Sequence, residues 1–110
     1  VRGQIYGGIQ MGIGMALSEE LPFDNMGIPR VRNFDKYHLV NAPDMPDPEI
    51  ILIEDNEPGG PFGAKSIGEI STVPVSAAIV NAVNRALGSS LTDLPLTPAK
   101  VVEAARNMGE

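Results

Sequence analysis

Along the first twenty positions the apolar residues recur with a helical period. Ile5, Ile9, Ile13 and Leu17 fall four apart and make one stripe, a spacing that predicts a helix from about Gln4 to Glu20. Met11 and Met15 widen its apolar surface. Gly7, Gly8, Gly12 and Gly14 interrupt the same stretch, and each glycine in a helix interior costs about 1 kcal/mol relative to alanine. Their number implies that something comes very close to the helix backbone. Two readings stay open: tight packing of a neighbouring helix or strand, or a cofactor lying nearby.

Beyond this helix the pattern breaks up. Leu21 to Arg32 is turn-rich, with Asp24-Asn25-Met26-Gly27 the strongest turn signal. Asp35 to Val40 predicts a short strand with Tyr37 and Leu39 on one face, and Asn41 to Pro48, with three prolines, reads as an extended loop. Glu49 to Glu54 contains the continuous run Ile50-Ile51-Leu52-Ile53, suited to a strand buried on both faces. A glycine-rich stretch, Gly59 to Gly68, follows. Helical periodicity then returns from about Thr72 to Leu87, with Thr72 as N-cap, Pro74 in the first turn and Gly88 as the stop. Val75, Ala78, Ile79, Ala82, Val83 and Ala86 predict its buried face. Thr97-Pro98 starts a last helix that runs to about Asn107. Helix, strands, helix, helix is the order of an α+β piece.

At 110 residues, 43% hydrophobic and 20% charged, the chain suits one small globular unit. Aromatics make up 5%, against 12 glycines and 10 prolines, so the core relies on aliphatic side chains and much of the chain must turn. Such a piece is expected to be stable mainly when packed against something larger. A net charge of −6 and a pI near 4.6 argue against nucleic acid as a partner. The absence of cysteine excludes thiolate and iron–sulfur ligation within this chain, and a single histidine, His38, cannot build a multi-histidine metal site. Ile5 to Leu17 is too short to span a bilayer, and no export signal is visible. The start Val1-Arg2-Gly3, without an initiator Met, suggests a piece of a longer protein.

The most informative stretch is Gly60-Pro61-Phe62-Gly63-Ala64-Lys65-Ser66-Ile67-Gly68-Glu69. A phosphate loop, G-x-x-x-x-G-K-[ST], would start at Gly59 and set Lys65-Ser66 correctly, but Ala64 holds the place of the second glycine. The following helix also begins several residues after Lys65 instead of at it. Glu69 lies between Gly68 and the cap at Thr72. An acid just before a helix is favoured by the macrodipole by about 0.3–1 kcal/mol and needs no further role. Alternatively, a carboxylate on a rigid glycine loop can approach a substrate and act as a general base. Lys65 reads as a solvated loop charge and His38 as decoration of a strand. The acids Asp44, Asp47, Glu49, Glu54, Asp55 and Glu57 lack calcium-loop spacing.

The same decapeptide resembles the GPFGAKGVGE-type motif of molybdopterin-binding subunits in the xanthine dehydrogenase and aldehyde oxidase family. The resemblance extends over nearly all 110 residues in order. Gly3-Gln4-Ile5-Tyr6-Gly7-Gly8, Gly12-Ile13-Gly14 and Ala16-Leu17-Ser18-Glu19-Glu20 are similar to the family's glycine-rich helix. Tyr37-His38-Leu39-Val40 leading to Asp44-Met45-Pro46 is similar to its strand and acidic-proline loop, and Ala77 to Ala82 and Asp93 to Pro98 to its closing helices. The resemblance implies that Glu69 is the catalytic base and that this is the C-terminal part of a molybdopterin-binding domain, residues 1–110. The family usually carries Gln directly before the glycine at position 12. Met11 holds that place here, with Gln10 one position earlier, and Gln10 and Gly12 are the implied contacts to the pterin.

Membership of this family implies hydroxylation of an electron-poor carbon with oxygen from water, on a small heterocycle or aldehyde. It implies a molybdenum cofactor in the full subunit, with iron–sulfur clusters and possibly FAD on other domains or subunits. The expected partners are the remainder of the large subunit and those electron-transfer parts, in a cytoplasmic complex without nucleic acid or membrane. The isolated piece is expected to be inactive. Sibling aldehyde, nicotinate or carbon monoxide dehydrogenases, or a non-catalytic assembly module of the same fold, are the alternatives.

Overall fold

The computed structural model describes residues 1–107. Its regular structure is mostly helical: α1 (Arg2–Leu17), α2 (Val73–Leu87) and α3 (Pro98–Asn107), with short 3-10 turns at Ala42–Asp44 and Pro61–Gly63. The three predicted helices are all present, with ends displaced by a few residues. Helix α1 stops at Leu17 and not Glu20, because the Gly14 carbonyl accepts both the Ser18 and the Glu19 N–H, at 3.0 and 2.9 Å.

Helix α2 follows its local signals. Thr72 is the N-cap, Pro74 sits in the first turn, and Gly88 closes the helix in the left-handed region at φ 65°. The Thr72 side chain makes no capping bond. Instead the Glu69 carbonyl accepts the N–H groups of Thr72 at 2.9 Å and Val73 at 3.0 Å, satisfying donors that a helix start leaves open. After α2, Asn84 ties down the next connection: its amide donates to the Leu91 carbonyl at 2.8 Å, and its oxygen accepts from Leu91 N–H at 2.7 Å and Ser89 Oγ at 2.8 Å.

The strand expectations fail, and with them the β part of the α+β assignment. Among the described residues the sole β pairing is an isolated antiparallel bridge between Phe23 and Pro29. It closes the turn predicted at Asp24 to Gly27, where Asp24 Oδ1 accepts the N–H of Met26 and of Ile28, at 2.8 and 2.9 Å. The first half of Asp35–Val40 is itself a turn, with Lys36 and Tyr37 N–H on the Asn33 carbonyl. Glu49–Glu54 has no regular structure and no strand partner among the described residues; Ile51, Leu52 and Ile53 are exposed and Ile50 is half-buried. A strand exists through its neighbours, and these segments have none here.

Packing departs from expectation on both long helices. The Ile5, Ile9, Ile13, Leu17 stripe of α1 is half-buried, whereas the side it hides fully carries Gly8, Gly12 and Ala16. These three also recur at i+4 and form a smooth strip against which α2 lies. On α2, Val75, Ile79 and Val83 are half-buried, but Ala78, Ala82 and Ala86 are exposed because α1 covers a single edge. Besides the α1 glycines, the buried residues among those described are few: Ala16 and Leu96, joined by a bond from the Leu96 N–H to the Ala16 carbonyl at 2.6 Å, with Pro95 and Ser71.

The overall dimensions agree with such a thin core. The radius of gyration is 17.6 Å, where a self-contained chain of this length would have about 13 Å. The accessible surface is 8324 Å², against roughly 5,800 Å² for an independent domain of this mass. The excess, about 2,500 Å², is surface that a free-standing domain would have covered.

The glycines of α1 divide by surroundings. A Cβ added to Gly8 would collide with Ser71, including its main-chain carbonyl carbon at 2.9 Å, and one on Gly12 would collide with Val75; around Gly7 there is open space. Gly8→Ala is therefore expected to lose up to about 2 kcal/mol, an overpacking cost of about 1–3 kcal/mol less about 1 kcal/mol of helix propensity. Gly7→Ala is expected to gain up to about 1 kcal/mol. Urea unfolding followed by the helical circular-dichroism signal reads both signs.

Candidate functional site

The motif loop between Glu57 and Glu69 is stitched to itself. Glu57 N–H donates to the Gly63 carbonyl at 3.2 Å, and Gly60, Gly63 and Ala64 N–H continue the ladder onto Glu57, Gly60 and Pro61 carbonyls. The Glu57 carboxylate also accepts the Gly59 N–H at 3.0 Å. At its tip Phe62 adopts φ 55°, a left-handed conformation unusual for a residue with a Cβ, and its ring is wholly exposed. Lys65, expected as a free loop charge, pairs with Asp55. Both side chains are substantially exposed, so the pair adds at most about 1 kcal/mol. Helix α2 begins at Val73, well past Lys65, so the loop lacks the geometry of a phosphate loop.

Glu69 leaves this loop in a turn whose backbone is held by its own carbonyl, as described above. Its carboxylate is exposed and makes no hydrogen bond or ion pair among the described residues. Two positions on, Ser71 is buried between the loop and α1. Its hydroxyl lies 3.3 Å from the Gly68 carbonyl and 3.4 Å from the Gln4 carbonyl. Sequence reasoning passed over Ser71, whose importance comes from standing opposite Gly8. A second serine, Ser76, donates to the Gly12 carbonyl at 2.8 Å.

The two implied pterin contacts are engaged within the chain. Gln10 Nε2 donates to the Val40 carbonyl at 3.0 Å, leaving the Gln10 side-chain oxygen to accept. Gly12 is buried against Val75 of α2. Glu69 is linked to the first turns of α1 through Ser71, while the Gln10 amide turns toward the segment 37–47. That segment runs back along α1 as a strap. Tyr37 Oη donates to Glu19 at 2.7 Å, Ser18 Oγ to the His38 carbonyl at 2.8 Å, Gln10 to Val40, and Tyr6 Oη to Asp47.

No group of three or more His, Cys, Asp or Glu placed to hold a metal ion occurs among the described residues. No described helix is long and apolar enough to cross a membrane. A broad hollow along α3, lined by Pro98, Val102 and Arg106 among others, includes none of Gln10, Gly12 or Glu69. The carboxylate of Glu69 thus stands on an open face and not in an enclosed pocket of this chain.

A glycine-faced helix thus packs on a second helix, with the glycine loop and Glu69 just before that helix. Residues 1–46 match the family described as the molybdopterin cofactor-binding domain. Among curated proteins, the putative xanthine dehydrogenase molybdenum-binding subunit of Escherichia coli K12 is 45% identical over 102 residues, covering 92% of this chain and 14% of that protein. The crystal structure of quinoline 2-oxidoreductase from Pseudomonas putida 86 superposes with a TM-score of 0.87 at 32% identity, over 96% of this chain and 14% of that one. That of the Cu,Mo-CO dehydrogenase does so with 0.86 at 25% identity, over 98% and 14%. The chain belongs to the molybdopterin-binding large subunits of the xanthine dehydrogenase and aldehyde oxidase family, and it spans 14% of the length of these relatives.

The strap carries a pH dependence. Hydrogen bonding to Glu19 raises the Tyr37 hydroxyl above its ordinary value of 10.0, with burial and the carboxylate charge acting the same way. Hydrogen bonding to Asp47 raises Tyr6 likewise, with Arg2 opposing. A raised folded value means that the stabilisation is whole below the unfolded value and is lost as pH rises through the folded one. The strap is expected to hold through neutral pH and to release above pH 10.0. These are the chain's two tyrosines, so tyrosinate absorbance on alkaline titration reads both. In the Tyr6→Phe, Tyr37→Phe double variant the alkaline loss of stability is expected to disappear.

Proposed function

We propose that this chain supplies the catalytic base, Glu69, of a molybdenum-dependent hydroxylase that places oxygen from water on an electron-poor carbon. What carries the reading is the contrast at Glu69: its main chain is fixed by two hydrogen bonds at the start of α2, and its carboxylate is exposed and unpaired among the described residues. A general base needs this combination, a fixed origin and an acceptor oxygen free to take a proton. The family relationship supports the same assignment.

The donor set fits one edge of a cofactor pocket and not the metal itself. Without a metal-holding cluster among the described residues, contact falls to neutral groups: the side-chain oxygen of Gln10 and the open backbone of α1 at Gly3 and Gly7. Gly12 contributes indirectly, by letting Val75 approach. The molybdopterin cofactor, when bound, supplies the two-electron redox chemistry; the protein's share is position and proton transfer. Within that division Glu69 accepts the proton of the attacking oxygen nucleophile on its carboxylate. The rest of the large subunit completes the pocket, and iron–sulfur and flavin parts elsewhere in a cytoplasmic complex take the electrons onward. The relatives are named for xanthine, quinoline and carbon monoxide; of these, a xanthine-like heterocycle suits the 45% identity best.

The test is turnover of the parent complex, wild type against Glu69→Gln, with molybdenum measured in both. A fall of about 10²–10⁴-fold at unchanged metal content is expected. Near-normal turnover would reduce Glu69 to a helix-start acid in a structural element.

A further inference from the structure

Ser71 is the one buried polar side chain among the described residues, 8% exposed, and a buried hydroxyl must find a partner. It faces two carbonyls, that of Gly68 at 3.3 Å and that of Gln4 at 3.4 Å. The space it occupies is the space that Gly8 leaves free. A Cβ on a helix tilts toward the N-terminus, so a side chain at position 8 would lie over the carbonyl one turn back, that of Gln4. Serines inside helices use that route to bond their own i−4 carbonyl. Here the hydroxyl arrives from outside α1 instead, and a single O–H stands between a carbonyl of the helix and a carbonyl of the motif loop.

The loop carbonyl it meets is the one directly before Glu69. Among the described residues the Gly68 carbonyl takes the Ser71 hydroxyl and no backbone donor. On the other side of the Glu69 Cα, the Glu69 carbonyl takes the N–H groups of Thr72 and Val73. Peptide units are planar, so holding the planes on both sides of a Cα fixes the direction of its Cα–Cβ bond. One of these planes is held by the start of α2. The other is held by a single hydroxyl, and it follows a glycine, the residue with the widest torsional freedom. We infer that Ser71 is a positioning residue for Glu69: its hydroxyl orients the Gly68–Glu69 peptide against α1 and so aims the carboxylate.

The inference rests on the reading of Glu69 as a base, and its test separates the two. The parent complex is compared as wild type, Ser71→Ala, Glu69→Gln and the double variant, with molybdenum measured in each. Ser71→Ala removes one oxygen and keeps the Cβ that packs on Gly8. A fall in kcat of about 10–100-fold at unchanged KM is expected, the scale of a misplaced reacting group. In the Glu69→Gln background the same change is expected to cost less than about twofold, because a serine that acts through Glu69 has nothing left to position. Hydrogen exchange of the Thr72 and Val73 amides reads the turn without turnover, and in Ser71→Ala it is expected to be about 2–10-fold faster. Unchanged kcat or unchanged exchange in Ser71→Ala overturns this inference alone. So do losses that multiply in the double variant, or molybdenum lost with the hydroxyl. Near-normal turnover of Glu69→Gln overturns the base reading, and the positioning role with it.

Discussion

Where Gly8 and Gly12 turn bare backbone toward Ser71 and Val75, α1 and α2 come closer than any larger side chain would let them. That approach is what makes the carbonyls of α1 reachable. Ser76 bonds the Gly12 carbonyl across the interface, and Ser71 sits within reach of the Gln4 carbonyl. Backbone carbonyls inside a helix are usually screened by side chains; here hydrogen atoms replace the screen. Glu69 stands two residues before Ser71, so the position of its carboxylate relative to α1 is set by this contact. Elsewhere the molecule is held more loosely, and the buried residues among those described lie along or beside the same helix, Ala16, Leu96, Pro95 and Ser71 with the α1 glycines.

Helix α1 is thus shared between several neighbours, which explains why it is apolar nearly all round. The Gly8, Gly12 and Ala16 strip takes α2 and the chain near Leu96. The strap of residues 37–47 holds to Glu19, Ser18, Gln10 and Tyr6 by hydrogen bonds. Gly3 and Gly7 face open space, and Met11 and Met15 remain substantially exposed. A helix this apolar in water needs cover on more than one side. Within the chain it finds two covers, and the side of Gly3, Gly7, Met11 and Met15 stays uncovered by the described residues.

The helices were legible because their signals are local. Thr72, Pro74, Gly88 and the Thr97-Pro98 pair act within one turn of chain, and each fell at or within a residue of its expected place. The strands were not, because a strand exists through a paired neighbour, and Ile50–Ile53 has none among the described residues. The buried side of α1 was misjudged for a related reason. The isoleucine stripe is the more hydrophobic, but the glycine strip permits the closer approach, and proximity to α2 decided burial. Of the candidate site, the place of Glu69 between the glycine loop and α2 was legible in the sequence. Ser71 was not, since nothing near it in sequence signals Gly8, sixty-three positions away.

The loop that carries Glu69 illustrates how a short glycine-rich segment can be rigid. Phe62 in the left-handed region costs about 1–2 kcal/mol, and such a conformation persists when its surroundings over-determine it. Here they do: N–H groups on both sides of Phe62 are tied to Glu57, Gly60 and Pro61 carbonyls, and Gly63, at φ 77°, turns the chain beside Asn56. The near end is closed by Glu57 and by the Lys65–Asp55 pair, the far end by the α2 start and Ser71. Glycine in this loop therefore provides unusual dihedrals and close contacts, and the hydrogen bonds remove the freedom that glycine would otherwise bring. A carboxylate at the end of such a segment inherits a fixed origin while only its own side-chain torsions remain free. Under the proposed role as a base, that is the property that matters, because a site built from separate pieces can be no better aligned than its least rigid contributor.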